Sequence, residues 1–202
     1  MISSIDKQTA LVLIDLQKGI VKMKFIHPIK NILLKSSMLV DVFRAANLPI
    51  VIVHVNPLGS ASTKTRVEVT LLPKNGLLQK FAKVALPITG FTDPVPEIKS
   101  CPEDILIEKS SWNAFYETSL DDELKKRKVT QLVFAGISTS IGVEGTARAA
   151  SELGYNLIFI TDALTDRVKE AHDNSINNIF PRIGELGTVM DITRILSSKG
   201  NK

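Results

Sequence analysis

Three points in this chain carry groups suited to chemistry, and each closes a short apolar run. Asp15 follows residues 10–14 within LIDLQKGI, Lys109 follows residues 104–108 within ILIEKSSWNAF, and GISTSIGVEGTAR, residues 136–148, follows residues 130–135. A carboxyl group beside an ammonium is an acid–base pair. The ammonium favours the carboxylate, burial favours the acid, and the balance decides whether a proton can be donated. The third point is a glycine-started turn that opens onto a helix, where unpaired N–H groups can meet an anion. Taken singly, an Asp after four apolar residues is a loop cap and a Lys after a strand is a surface charge. A shared place at the carboxyl ends of strands, the edge where doubly wound sheets bind ligands, sends all three to one crevice.

The elements that must position them alternate between β-rich runs and amphipathic helices, the pattern of a parallel sheet covered on both faces. Strands are expected at 10–14, 50–55, 104–108, 130–135, 156–160 and 187–190. Pro28 precedes a helix with Ile32, Leu39, Phe43 and Ala46 on one face, stopped by Asn47 and Pro49. Further helices are expected at 118–127, 141–153, 166–180 and 192–198. The second carries Val143, Ala147 and Ala150 inward and ends at Gly154, and the third carries Val168, Ala171, Ile176 and Ile179. The fold class that follows is α/β: a doubly wound, mostly parallel six-stranded sheet with helices on both faces, in one domain over residues 1–202. Residues 56–103 are proline-rich and weakly periodic, with a short helix expected near 77–84. Such a segment reads as a functional loop or an interface arm.

The turn and helix at 136–148 resemble the signature of the isochorismatase-like (cysteine hydrolase) family, G-[IV]-x-T-x-x-C-V-x-x-T-A-R, with Gly142 in the place of the cysteine. The family's D-x-Q is matched by Asp15 and Gln17, and its Lys with an S-A-F-like segment by Lys109, Trp112, Ala114 and Phe115. A D-A pair is matched by Asp162 and Ala163, and a histidine in the next helix by His172. The resemblance implies a Rossmann-like three-layer fold, a catalytic group of Asp15, Lys109 and the Gly142 position, and a cis peptide at Ile137–Ser138. Gln17, Trp112, Phe115, Ser138, Thr139 and Ile141 are the residues expected to meet substrate. It further implies a homo-oligomer, a dimer or tetramer.

A glycine closes the covalent route that a thiolate opens. It is expected to leave room for a bulky substrate and to expose the N–H groups of the turn. Isochorismatases with glycine there hydrolyse a vinyl ether by acid–base chemistry, releasing pyruvate. The reading that follows is a hydrolase of a small, carboxylate-bearing molecule, with Asp15 as acid–base group and Lys109 as electrostatic partner. The rival is a catalytically inactive ligand-binding or scaffold homologue of a cysteine amidase. Ser138, Thr139 and Ser140 have no histidine within the signature to activate them, so Thr139 is expected to shape the turn.

The net charge of +4 over 202 residues suits an anionic small molecule. The densest basic run, 125–128, follows the acidic run 121–123 on one helix, which matches the helix dipole and gives no nucleic-acid stripe. A single Cys101 excludes an intramolecular disulfide and suits a reducing cytoplasm. Lying before Pro102 on the entry side of the third strand, it reads as a packing or loop thiol. No apolar run nears the ~20 residues of a membrane span. His27, His54 and His172 form no metal-ligand spacing, and no G-x-G-x-x-G opens a helix, so neither metal nor dinucleotide cofactor is expected. His172 reads as a helix-packing residue and His54 as a rim residue, while Lys64 and Arg66 are candidate carboxylate contacts.

Overall fold

Strand-forming runs that are apolar at every position must bury both faces, and the sheet at the centre of this protein does so. The computed structural model describes residues 2–59, 80, 84–85 and 88–199. Its strands are β1 (Thr9–Ile14), β2 (Ile50–Val55), β3 (Ile105–Lys109), β4 (Gln131–Ile137), β5 (Asn156–Thr165) and β6 (Glu185–Gly187). The helices are α1 (Ile29–Ala45), α2 (Leu120–Lys126), α3 (Glu144–Glu152), α4 (Lys169–Asn174), α5 (Phe180–Ile183) and α6 (Val189–Lys199). Wide π-type turns at Thr139–Val143 and Ser175–Ile179 lead into α3 and α5.

All six strands run parallel in the order β3-β2-β1-β4-β5-β6. The chain winds outward from β1 to β3, then returns to lay β4 on the other side of β1. The strand order therefore reverses between β1 and β4, the switch point where such sheets open a crevice.

Alternation along β1 divides the core. Leu11 and Leu13 join Leu39 and Phe43 of α1 and Val189 and Ile192 of α6. Ala10, Val12 and Ile14 join Leu120 and Leu124 of α2 and Val143, Ala147 and Ala150 on the other face. Each large side chain so buried contributes about 1.5–3 kcal/mol. Helices thus cover both faces, as the sequence pattern predicts.

Several boundaries differ from expectation. β5 runs to Thr165 instead of stopping at 160, because the register with β4 slips between Phe134 and Gly136 and the strand resumes pairing at Leu164. α4 starts at Lys169, since Asp166 Oδ1 accepts the N–H groups of Arg167 (2.7 Å) and Val168 (3.3 Å) and holds them in a turn. Val168 is consequently exposed instead of facing the core. β6 ends at Gly187, and α6 follows directly. Lys64, Arg66 and most of the helix expected at 77–84 lie outside the described residues. Among the described residues no helix is long and apolar enough to cross a membrane.

Candidate active site

Asp15 is the first residue past β1, and its φ of 53° is left-handed. Asp tolerates that region better than most side chains. Its N–H still donates to the Val53 carbonyl at 2.9 Å, so the bend is anchored to β2. Lys109 is the last residue of β3, two strands away, a span of about 9.6 Å at ordinary strand spacing. The long ammonium stem crosses the end of β2 and Nζ donates to Asp15 Oδ2 at 2.9 Å and to the Ser111 carbonyl at 3.2 Å. Both residues are buried, with 7% of Asp15 and 2% of Lys109 exposed.

The second carboxylate oxygen, Oδ1, is buried without a hydrogen-bond partner among the described residues. Most buried polar atoms have one, so this oxygen is marked. Burial pushes the Asp15 carboxyl above the usual range, while the charge and hydrogen bond of Lys109 and the field of His54 pull it down. Desolvation wins. The arrangement favours a carboxyl group that can hold a proton, with a fixed cation ready for its conjugate base.

The glycine-started turn meets this carboxyl from the β4 side. Gly136 pairs with Ile14 at a φ of 125°, where a Cβ would lie 2.2 Å from the Ile14 carbonyl oxygen, so only glycine fits. The Ile137–Ser138 peptide is cis, as the family resemblance implies. Beyond it, a Cβ on Gly142 would meet Ile14 Cγ2 at 2.9 Å, Asp15 Oδ2 at 3.0 Å and the Ile137 carbonyl at 3.4 Å. The room expected from the missing side chain is therefore taken up by β1. Glycine lets the Asp15 carboxyl lie against the turn.

Three of the turn's N–H groups differ from expectation as well. Ser140 N–H donates to Asp166 Oδ2 at 2.7 Å, and Ile141 and Val143 N–H both donate to the Ser138 carbonyl at 3.1 Å. A resident carboxylate already occupies the start of this helix. Asp166 is 1% exposed and also accepts the Ser140 hydroxyl at 2.8 Å. It is a residue that sequence reasoning treated only as the start of a helix. Like Asp15 it closes a strand at the carboxyl edge, but the polar pair Thr161 and Asp162 masks that strand end in the sequence.

The other singled-out residues sit as follows. Gln17 is fully buried and clasps the end of β2, accepting Val55 N–H at 2.8 Å and donating to the Val55 carbonyl at 3.1 Å. Thr139 is fully buried, with its hydroxyl 2.9 Å from His172 Nδ1. Trp112 is half exposed and lies over the first turn of α3, where its Cβ would be 3.3 Å from a Cβ on Gly145. Phe115 stacks on Tyr155, just before β5, with centroids 6.0 Å apart. Ile141 is exposed within the turn. His54 faces Glu108 at 3.4 Å, with its Nδ1 buried and without a partner among the described residues. Cys101 lies before β3, at the edge away from Asp15, and Glu103 keeps its thiol above the usual range. Among the described residues no three His, Cys, Asp or Glu side chains gather to hold a metal ion.

Comparison with known proteins identifies the family. The isochorismatase domain model matches residues 9–191, nearly the whole chain. The chain belongs to the isochorismatase family. This is a family of hydrolases, and two of its members are matched along almost their full length. The isochorismatase family protein YecD of Escherichia coli O157:H7 is 37% identical over 197 residues, covering 94% of this chain and 97% of that protein. YwoC of Bacillus subtilis strain 168 is 38% identical over 182 residues, with 90% of each chain covered. The solved structure of an isochorismatase family protein from Burkholderia thailandensis superposes with a TM-score of 0.81 at 30% identity, over 96% of this chain and 98% of that one.

Proposed function

We propose that this isochorismatase-family protein hydrolyses a small carboxylate-bearing molecule by acid–base chemistry, with no covalent intermediate, and that an isochorismate-type vinyl ether is its substrate class. One observation carries the reading: the buried, cation-paired carboxyl of Asp15 lies against the Gly142 backbone, with Oδ1 unpartnered among the described residues. Asp15 gives its proton to the methylene carbon of the vinyl ether, whose π electrons form the new C–H bond. Water then adds to the oxocarbenium carbon and returns a proton to Asp15. The hemiketal collapses to an alcohol and pyruvate. Lys109 holds the Asp15 carboxylate formed in the first step.

Because Lys109 and the Ser140, Ile141 and Val143 amides of the turn are already engaged, the substrate carboxylate takes its cation from elsewhere. Lys64 and Arg66 are the candidates the sequence supplies. Gln17, Thr139 and Phe115 support the site through packing, while Trp112, Ser138 and Ile141 meet the substrate. The protein works as a homo-oligomer in the cytoplasm.

The test is turnover on isochorismate and a panel of vinyl ethers and amides. Wild type is expected to release pyruvate, and Asp15→Asn to lose roughly 10²–10⁴-fold. An Asp15→Asn variant with full turnover ends the proposal. Amide hydrolysis seen only in Gly142→Cys assigns the protein instead to the inactive homologues of cysteine amidases.

A further inference from the structure

Two successive residues of the turn, Thr139 and Ser140, are gripped by side chains from two different elements. Ser140 is held by Asp166 at the end of β5. Thr139 is held by His172 of α4, which is buried. Both grips lead back to one short stretch before α1. Ile26 N–H donates to the Asp166 carbonyl at 2.9 Å, and His27 Nδ1 lies 3.2 Å from Thr165 Oγ1. The His27 ring then meets the His172 ring edge-on, with centroids 5.0 Å apart and planes at 73°. The contacts close a circuit: turn, α4, the stretch before α1, the end of β5, and the turn again.

We infer that His172, backed by His27, is a positioning residue for the 138–143 turn, accepting the Thr139 hydroxyl hydrogen at Nδ1 and releasing it when protonated. The inference rests on the turn being part of the site just proposed. A neutral imidazole offers one donor and one acceptor, whereas an imidazolium offers two donors. On protonation Nδ1 acquires a hydrogen, the Thr139 hydroxyl must become the acceptor, and its own hydrogen must find another partner inside a buried turn. The new charge also stands beside His27.

The groups around His172 set where this happens. Burial is the largest influence and holds its pKa below the usual histidine value. His27 and Lys169 act in the same direction, while Asp166 and Asp173 oppose them. His172 is therefore neutral at neutral pH, with the turn held, and the change comes on acidification.

The test needs no turnover, so it stands or falls apart from the hydrolase reading. Nitrogen-15 spectra of the full-length protein are followed from pH 8 to pH 5. At the upper end His172 is expected as the Nε2–H tautomer. On acidification the amides of residues 139–143 should shift with the His172 midpoint, below pH 6.5. Those shifts should vanish in His172→Gln. In Thr139→Val they should also vanish while His172 still titrates, which separates the hydrogen bond from the bare charge. An Nδ1–H tautomer at neutral pH overturns the inference. So do amides that stay fixed through the His172 titration, or that still move in Thr139→Val. Thr139→Val alone decides the matter should His172→Gln not fold. Where wild type turns over substrate, the acid limb of kcat/KM should move in His172→Gln with KM little changed.

Discussion

Asp15 works under two opposed pressures, and the balance between them sets its chemistry. Burial raises its pKa, and Lys109 lowers it by charge and hydrogen bond. A general acid must be protonated to act, so kcat/KM should fall as pH rises through the Asp15 pKa. Replacing Lys109 with Met removes the chief lowering influence. The falling limb of the pH–rate profile is then expected at higher pH than in wild type, together with slower turnover, because the carboxylate formed in the first step has lost its cation. Steady-state rates measured across pH check both. Gly142 is equally constrained. A methyl group there must push Ile14 and Asp15 aside, since a Cβ would lie 2.9 and 3.0 Å from them. Gly142→Ala should therefore cost roughly 1–3 kcal/mol as overpacking. At about 2–4 °C per kcal/mol for a chain of this size, thermal unfolding will show it.

At the scale of elements, the pin that holds the turn is the end of β5. Asp166 accepts hydrogen bonds from Ser140, Arg167 and Val168, so Asp166→Ala leaves part-buried donors to water and should cost roughly 1 kcal/mol. Asp166→Asn keeps one acceptor oxygen and should recover part of the loss in urea unfolding. α4 adds a pH dependence of stability. The folded protein binds a proton at His172 less readily than the unfolded chain does, so between the usual histidine value and the lowered one the unfolded state holds more protons. Stability should therefore fall as pH drops below 6.5, and His172→Gln should flatten that part of the urea-midpoint curve.

These features of β5 were hidden from the sequence for a physical reason. Thr161 and Asp162 break the apolar run at the point where the register slips, so periodicity ends the strand five residues early and places Asp166 in a helix. Asp15 and Lys109 were legible because each follows an unbroken strand. Thr139 was read as shaping the turn, and it does, but its partner is a histidine outside the signature.

Across the whole molecule, the sheet was the most legible part. The first five strands and their parallel direction followed from alternation of β-rich runs with helices, as did burial on both faces of β1 and β4, whereas β6 lies at 185–187 and the edge strand β3 leaves Leu106 exposed. The reversal of strand order between β1 and β4 then brings Asp15 and the turn together, while Lys109 reaches them from β3 across β2. Side-chain networks were not legible. Gln17 and Phe115 look like pocket residues in a linear motif, yet one spends its amide on Val55 and the other stacks on Tyr155, because spacing along a chain does not say which way a side chain points.

The most direct measurement is a crystal structure with chorismate or isochorismate bound. The vinyl-ether methylene carbon should rest against the free oxygen of Asp15, with the Lys109 ammonium still on the other oxygen. Density at the opposite edge of the sheet, or a protein group capping that free oxygen, would contradict the proposed chemistry.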